Sequence, residues 1–222
     1  MRIQLFLLSI IFLGLFIYFS YTVAREQLRQ VDFDTTVKLQ DRIPRKFDYL
    51  FSYFSLLGSA EITVGFCLLA SFLALLKGRL LTIVGWMMII PATLLEVFGK
   101  LVVFHPGPPV FMHRSLLPTH LPSFYVHTDF SYPSGHVTRT AFMLTVLIIL
   151  IVFSKKSLLK FIIMGALLLL GFFMGLTRIY LGEHWLTDVI GGGLLGIASG
   201  LFASILILTS RRDNIAHDAQ GR

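Results

Sequence analysis

The sequence has little charge and a single cysteine. Only 14% of its 222 residues are charged, whereas 55% are apolar. An ordinary soluble domain carries about 25% charged residues, so this chain has too little charge to cover a water-facing surface. Intrinsic disorder is excluded as well, because a disordered chain needs low hydrophobicity and high net charge. With Cys67 alone, neither a disulfide framework nor a thiolate metal cluster can form within the chain.

The charge that is present is mostly positive, with a formal net charge of +7. In a soluble protein this excess would suggest a nucleic-acid partner. In a chain this apolar, we attribute it to membrane topology and to anionic lipid, so we expect the lipid bilayer as partner and no nucleic acid.

The sequence contains several long apolar runs. A helix that crosses a bilayer needs about 20 mostly apolar residues. The six candidate spans are 3–23, 51–76, 80–104, 134–154, 158–176 and 189–209. The fourth reaches spanning length only if it starts near Ser134, which places Arg139 near a helix end, from which it could snorkel. The sequence therefore predicts an all-α fold, a six-transmembrane helix bundle that forms one integral-membrane domain over residues 1–222.

Two alternatives at the N-terminus bear on this topology. The first run follows Arg2 and could be a signal peptide, but its 21 residues are long for a signal core, so we expect a retained span. The basic residues of the short loops place the N-terminus in the cytoplasm. The loop 24–50 holds six more basic residues on the opposite side and weakens this argument.

Charged residues inside the predicted spans are candidates for function, because burying a charge in a membrane is expensive. Glu96 and Lys100 are four residues apart on the third span and can form an ion pair on one helix face. For Glu61, alone on the second span, we favour a structural role. A proton-coupled transporter could instead use these three residues as relay groups.

The start of the fourth span carries the string Pro133-Ser134-Gly135-His136. Proline suits a helix N-terminus, and Ser134 is a candidate N-cap. Gly135 allows another group to approach the backbone closely. Such an N-terminus presents free N–H groups and the positive end of the helix dipole, which favours an anion. A plain helix cap would explain the string equally well.

The segment 177–188, which we expect to be the loop before the sixth span, contains His184 and Asp188 four residues apart. At a helix start their side chains lie on one face. The carboxylate can then hold the imidazole in one tautomer and raise its basicity. A structural hydrogen bond is the alternative reading.

Together, these strings resemble the signature of the type 2 phosphatidic acid phosphatase family, which reads Lys-x6-Arg-Pro, Pro-Ser-Gly-His and Ser-Arg-x5-His-x3-Asp. The second element is complete in this chain. The third, from Thr177 to Asp188, differs only by threonine in place of serine. The first departs from the signature, because Lys100 is followed by Gly107-Pro108 and the family's arginine is missing.

The resemblance implies a lipid phosphatase without metal or other cofactor that works through a phosphohistidine. The implied catalytic residues are the nucleophile His184, its orienting partner Asp188 and the general acid His136. The implied phosphate-binding residues are Lys100, Ser134, Gly135 and Arg178. We hypothesise that Arg114, in the same loop as Gly107, supplies the missing cation.

The implied substrate is a phospholipid or polyprenyl phosphate whose phosphate reaches the non-cytoplasmic span ends of a cell-membrane protein. Phosphatidylglycerophosphate, which gives phosphatidylglycerol, is preferred, and undecaprenyl pyrophosphate is the alternative. A metal site is a further alternative, because several histidines and an aspartate lie in one stretch, namely His105, His113, His120, His127, Asp129 and His136. The spacing of these histidines lacks the close pairs typical of zinc sites.

Overall fold

The protein is described by a computed structural model that covers residues 1–117, 130–153 and 157–220, with side chains to residue 210. The helices are α1 (Arg2–Ala24), α2 (Arg29–Arg42), α3 (Asp48–Leu56), α4 (Ala60–Leu75), α5 (Leu80–Met87), α6 (Ile89–Val102), α7 (Gly135–Val152), α8 (Leu158–Tyr180) and α9 (Leu186–Gln220). Two single turns of 3-10 helix, Arg45–Phe47 and Val110–Met112, join them. Within these ranges no strand occurs beyond an isolated bridge between Pro106 and Phe130, which confirms the all-α class.

Among the described residues, six helical segments are long and apolar enough to cross a membrane, as predicted. Their bounds are Arg2–Ala24, Arg45–Leu75, Leu80–Val102, Gly135–Val152, Leu158–Tyr180 and Leu186–Ser210. The third is divided into α5 and α6, and Pro91, which has no N–H to donate, lies in the first turn of α6. Lys155 and Lys156, which contribute to the predicted orientation, lie outside the described residues.

The last two spans extend further than the apolar runs suggested. Helix α8 continues to Tyr180, so Thr177 and Arg178 lie on a helix and not in the expected loop, which is reduced to residues 181–185. Helix α9 continues to Gln220, eleven residues beyond the predicted end of the sixth span at residue 209. Hydrophobicity locates the membrane-buried part of a helix, whereas the helical backbone can continue into polar sequence.

Helix α9 packs against α7, α1 and α5 and occupies the centre of the bundle. Glycines allow its close approach to α7. A Cβ at Gly192 would lie 2.6 Å from the carbonyl oxygen of Ser134, and one at Gly196 would clash with that of Thr138. The start of α7 and the start of α9 are thereby held side by side, and these two helix ends carry most of the motif residues.

The main apolar core lies between α4, α5, α7 and α9, with the first residue of α6. Its buried residues are Cys67, Trp86, Ile89, Phe142, Val146, Ala203 and Ile207. By contrast, α1 and α8 expose large apolar side chains such as Ile3, Leu158 and Phe172. Such a surface would be unstable in water and matches contact with lipid.

The loop predicted between the first two spans contains a helix, α2. Its inward face is polar: Asp32 accepts hydrogen bonds from the backbone N–H of Thr187 (2.9 Å) and from its hydroxyl (2.7 Å). Two turns later, Gln40 donates to the carbonyl oxygens of Met112 (2.7 Å) and Tyr180 (2.8 Å). These hydrogen bonds hold α2 against the end of α8 and the start of α9, which carry motif residues.

Candidate functional site

The motif residues lie at one end of the bundle, where α6 and α8 finish and α7 and α9 begin. We call this the site end. The backbone N–H of Ser134 donates to the carbonyl oxygen of Asp188 (3.0 Å), which joins the second motif to the third. The indole N–H of Trp185 donates to the carbonyl oxygen of Pro106 (2.8 Å), which joins the third to the first. Residues far apart in the sequence are therefore brought together.

His184 and Asp188 are hydrogen-bonded, as their spacing predicted. The distance from His184 Nδ1 to Asp188 Oδ2 is 3.2 Å, and the same carboxylate oxygen accepts the backbone N–H of Trp185 at 3.0 Å. Both side chains are buried. With the Nδ1 proton donated to Asp188, the Nε2 atom of His184 keeps its lone pair.

The surroundings of His184 favour the neutral imidazole. Burial lowers the pKa of His184 well below its ordinary value of about 6.5. Arg178 and Lys100 lower this pKa further, because positive neighbours disfavour the imidazolium. The carboxylates of Glu183 and Glu96 act in the opposite direction. A neutral His184 is the form that could attack an electrophile.

A second buried histidine lies behind this pair. The Nε2 atom of His105 is 3.7 Å from an oxygen of Asp188 and 3.7 Å from an oxygen of Asp32. Burial raises the pKa of Asp32, although its hydrogen bonds from Thr187 oppose that shift. His105 thus lies between two carboxylates and links α2 to the start of α9.

The N-terminus of α7 carries the Pro-Ser-Gly-His string. Ser134 occupies the N-cap position as predicted, but its side chain makes no capping hydrogen bond. Its Oγ atom is buried and has no hydrogen-bond partner among the described residues. Gly135 begins the helix and His136 is buried in its first turn. A buried hydroxyl beside the N–H groups of a helix start can receive a phosphate oxygen.

Glu96 connects two cations. Lys100 Nζ lies 2.6 Å from Glu96 Oε1, which forms the ion pair that the spacing predicted. On the other side, Arg139 Nη1 lies 3.4 Å from Glu96 Oε2. The suggestion that Arg139 snorkels to the membrane surface is wrong: only 8% of Arg139 is exposed, because its side chain turns into the bundle toward Glu96.

Arg178 is almost fully buried, with 1% of its surface exposed. Its guanidinium donates to the hydroxyl of Ser55 and forms an ion pair with Glu183. Its carbonyl oxygen accepts the backbone N–H of His184 (3.2 Å), so the arginine and the histidine are held side by side.

Arg114 lies against Tyr180, with its guanidinium carbon 5.2 Å from the ring centre. It donates to the Tyr180 hydroxyl (3.2 Å) and to the carbonyl oxygen of Ile43 (3.4 Å). Gly107, where the family's arginine is missing, has room for a side chain among the described residues, since a Cβ there would contact Ser131 at 3.5 Å and no other described residue within 4 Å.

No group of three or more histidine, cysteine or acidic side chains that could hold a metal occurs within the described ranges. His113 contacts the carbonyl oxygen of Pro108 (3.2 Å), away from His105 and His136. His120, His127 and Asp129, which belong to the metal-site alternative, lie outside the described residues.

An apolar groove of about 570 Å³ runs between α7, α8 and α9. Near the site end it is lined by Val137, Leu186 and Val189, which are neighbours in sequence of His136 and Asp188. Further along it is lined by Leu168 and Phe172 of the lipid-exposed helix α8. The groove therefore extends from the motif residues toward the apolar interior of the membrane.

Three further residues at the site were not identified from the sequence: Arg139, Glu183 and Asp32. Arg139 had a usable signal, since it lies four residues after Gly135 and so on the same face of α7. Glu183 is next to His184, but its ion pair with Arg178 depends on the turn between α8 and α9. Asp32 belongs to a helix that the apolar pattern did not reveal.

Comparison with known proteins agrees with the motifs. Residues 80–212 match the PAP2 superfamily, a range that includes every motif residue from Lys100 to Asp188. Phosphatidylglycerophosphatase B of Bacillus subtilis (strain 168) is 37% identical over 75 residues. This alignment covers 32% of the chain and only 36% of the relative's length.

Two solved structures share the fold. A transmembrane PAP2-type phosphatidylglycerolphosphate phosphatase from Bacillus subtilis superposes with a TM-score of 0.66 at 16% identity, over 94% of this chain and 96% of that chain. LpxE of Aquifex aeolicus superposes with a TM-score of 0.55 at 23% identity, over 78% of this chain and 94% of that chain. With the sequence match over residues 80–212, the family resemblance is confirmed, and this membrane protein belongs to the PAP2 superfamily.

Proposed function

We propose that the protein is a membrane lipid phosphatase that hydrolyses a lipid phosphomonoester through a phosphohistidine at His184. The observation that carries this proposal is the buried His184–Asp188 pair, 3.2 Å apart, beside Arg178. Its Nδ1 proton is directed at a carboxylate, and its pKa is lowered by burial and by cations. The Nε2 atom of His184 is therefore uncharged, and the nearby cations Arg178 and Lys100 can bind a phosphate.

In the first half-reaction, the Nε2 lone pair of His184 attacks phosphorus. The bond between nitrogen and phosphorus forms as the bond from phosphorus to the lipid oxygen breaks. His136, as imidazolium, donates its proton to the leaving lipid alkoxide, which departs as an alcohol. Asp188 stabilises the positive charge that develops on the His184 ring.

In the second half-reaction, water attacks the phosphohistidine. His136, now neutral, accepts a proton from the water as the new bond from oxygen to phosphorus forms. The bond to His184 breaks, and inorganic phosphate leaves the site. His136 is protonated again and ready for the next substrate, so the two half-reactions restore both histidines.

The phosphate oxygens would be bound by Lys100, Arg178, the hydroxyl of Ser134 and the N–H groups around Gly135. Positioning and charge stabilisation supply most of the catalysis in phosphoryl transfer. These donors lie on three different helices, so the packing of α6, α7 and α8 determines their geometry.

The apolar groove supports a lipid substrate, because an acyl chain could lie in it while the phosphate reaches His184. Phosphatidylglycerophosphate is the preferred substrate, by analogy with the Bacillus subtilis relative. Undecaprenyl pyrophosphate is the alternative substrate. The basic residues of the short loops support a reaction on the non-cytoplasmic face.

The test is phosphate release by purified protein in detergent with EDTA. Phosphatidylglycerophosphate, undecaprenyl pyrophosphate and phosphatidic acid are compared for the wild type, His184→Asn and the matched control His113→Asn. We expect release with the wild type and the control, fastest with phosphatidylglycerophosphate, and none with His184→Asn. Activity in His184→Asn, or activity that needs an added metal ion, would contradict the mechanism.

A further inference from the structure

We propose that Arg139 is the third phosphate-binding cation of the site and takes the place of the arginine missing at Gly107. The proposal rests on the proposed function, because it assigns a ligand to the phosphate of that same site. Arg139 is a buried arginine in the second turn of α7. Burying a charge inside a membrane protein costs free energy, so such a residue is a candidate for function.

The position of the guanidinium is the first argument. Arg139 lies one turn after Gly135, and its side chain turns back toward the helix start. A Cβ at Gly135 would lie 2.9 Å from Arg139 Nη1 and 2.9 Å from the carboxyl group of Glu96. The absence of a side chain at Gly135 therefore leaves room for this ion pair beside the N–H groups proposed to hold the phosphate.

The sharing of Glu96 is the second argument. One oxygen of Glu96 contacts Lys100 at 2.6 Å and the other contacts Arg139 at 3.4 Å. Glu96 thus holds Arg139 next to a lysine already assigned to the phosphate. Arg178 is also near enough to repel Arg139 electrostatically. Lys100 and Arg139 share one carboxylate and Arg178 lies nearby, so this group of cations can bind a further anion.

Charge balance is the third argument. Lys100, Arg139 and Arg178 carry three positive charges. Three carboxylates offset them: Glu96 and Glu183 form ion pairs with these cations, and Glu61 is close enough to attract Arg139. A phosphate dianion brings two more negative charges into the site. Without Arg139, two cations would face three carboxylates and the phosphate, and this excess of negative charge would repel the substrate.

Arg114 is the competing candidate, and its contacts differ. Its guanidinium lies on Tyr180 and bonds to the carbonyl oxygen of Ile43. Tyr180 in turn contacts Asp48, so Arg114 belongs to a network near the start of α3. Arg139, by contrast, shares a carboxylate with the motif residue Lys100.

The test measures binding of orthovanadate, a phosphate mimic, to purified protein in detergent by the shift in thermal unfolding. We expect Arg139→Gln to raise the Kd for orthovanadate by about tenfold or more, since a bond to a charged group is lost, and Arg139→Lys to raise it less. Arg79→Gln, a change in the turn between α4 and α5, should leave the Kd unchanged.

A double variant separates phosphate binding from a structural role. If Arg139 only neutralises Glu96, the change Glu96→Gln should restore normal vanadate binding to Arg139→Gln. We expect the Glu96→Gln, Arg139→Gln double variant to stay at least about tenfold weaker than Glu96→Gln alone. Recovery to wild-type affinity would overturn the proposal, as would a Kd that rises in Arg114→Gln but not in Arg139→Gln.

The binding assay is independent of turnover. If no lipid phosphate were hydrolysed by the wild type, the proposed function would fail while the role of Arg139 in anion binding would still be measured. If hydrolysis depends on His184 but the Kd for orthovanadate is unchanged in Arg139→Gln, the proposed function is supported and the role of Arg139 in phosphate binding is wrong.

Discussion

At the scale of single residues, Asp188 and Ser134 differ in how their side-chain oxygens are bonded. Asp188 accepts bonds from His184 and from the backbone of Trp185, which fixes the orientation of the histidine. Ser134, in contrast, is fully buried with no partner for its hydroxyl among the described residues. A buried polar atom without a partner costs free energy, so we interpret it as a binding group.

Ser134→Ala should therefore weaken anion binding without weakening the fold. A hydrogen bond to a charged group contributes about 1.5–3 kcal/mol, so the Kd for orthovanadate should rise by about 10- to 100-fold. The thermal midpoint without ligand should stay unchanged, because no bond is lost. The matched control is Thr140→Val, which removes another buried hydroxyl without a partner on the same helix. Equal effects in both variants would contradict this role.

The pH dependence follows from the lowered pKa of His184. A neutral His184 persists below pH 6.5, so the acid limb of kcat/KM due to this group should lie below its ordinary pKa of about 6.5. Lys100→Gln removes a cation that lowers this pKa, so the pKa of His184 should rise. NMR titration of the imidazole nitrogens checks the shift. A lower pKa in Lys100→Gln would contradict the electrostatic argument.

At the scale of elements, a helix can be predicted from the sequence when the face that it buries is apolar, and it is missed when that face is polar. The six spans follow from long apolar runs and could be read from the sequence. Helix α2 could not, because the face it turns to the protein carries Asp32 and Gln40. Its bonds reach Thr187 and Tyr180, partners that only the folded chain brings close.

In the site, too, some contacts could be predicted from the sequence and others could not. The sequence predicted the pairs Glu96–Lys100 and His184–Asp188, because each pair lies within one helical turn. The contact of Arg139 with Glu96 was not predicted, since it joins α7 to α6 and depends on tertiary packing. Local spacing therefore reveals contacts within a helix, and packing determines the contacts between helices.

The groove between α7, α8 and α9 gives a prediction about the lipid chain. Gly193 lines the groove, and a Cβ there would meet no atom within 4 Å. Gly193→Leu should fill this space and raise KM for a long-chain lipid phosphate several-fold. Hydrolysis of a small soluble aryl phosphate should not change. Gly14→Leu, on α1 with equal room, is the matched control. A similar loss with both substrates would contradict a chain-binding groove.

At the scale of the whole molecule, the six spans place the motif residues at one end of the bundle. The chain has one cysteine, Cys67, which is buried, so single engineered cysteines can report the orientation. Val110 is exposed in the loop at the site end, and Lys77 is exposed in a turn at the other end. These two positions give the orientation a direct test.

If the site end faces away from the cytoplasm, as the basic residues of the short loops predict, Val110→Cys should react with a membrane-impermeant maleimide in intact cells. Lys77→Cys should react only after the cells are lysed. The wild type, with Cys67 in the core, is the unlabelled control. Labelling of Lys77→Cys but not Val110→Cys in intact cells would reverse the orientation.

The proposed mechanism depends most directly on transfer of the phosphate to His184. After rapid mixing with phosphatidylglycerophosphate labelled on its phosphate, the quenched protein should carry the label on the peptide that contains His184. The label should be lost in acid, as expected for a bond between phosphorus and nitrogen, and it should persist in His113→Asn. Mass spectrometry of that peptide decides the question: phosphate on His184 supports the account, and phosphate release by His184→Asn at the wild-type rate contradicts it.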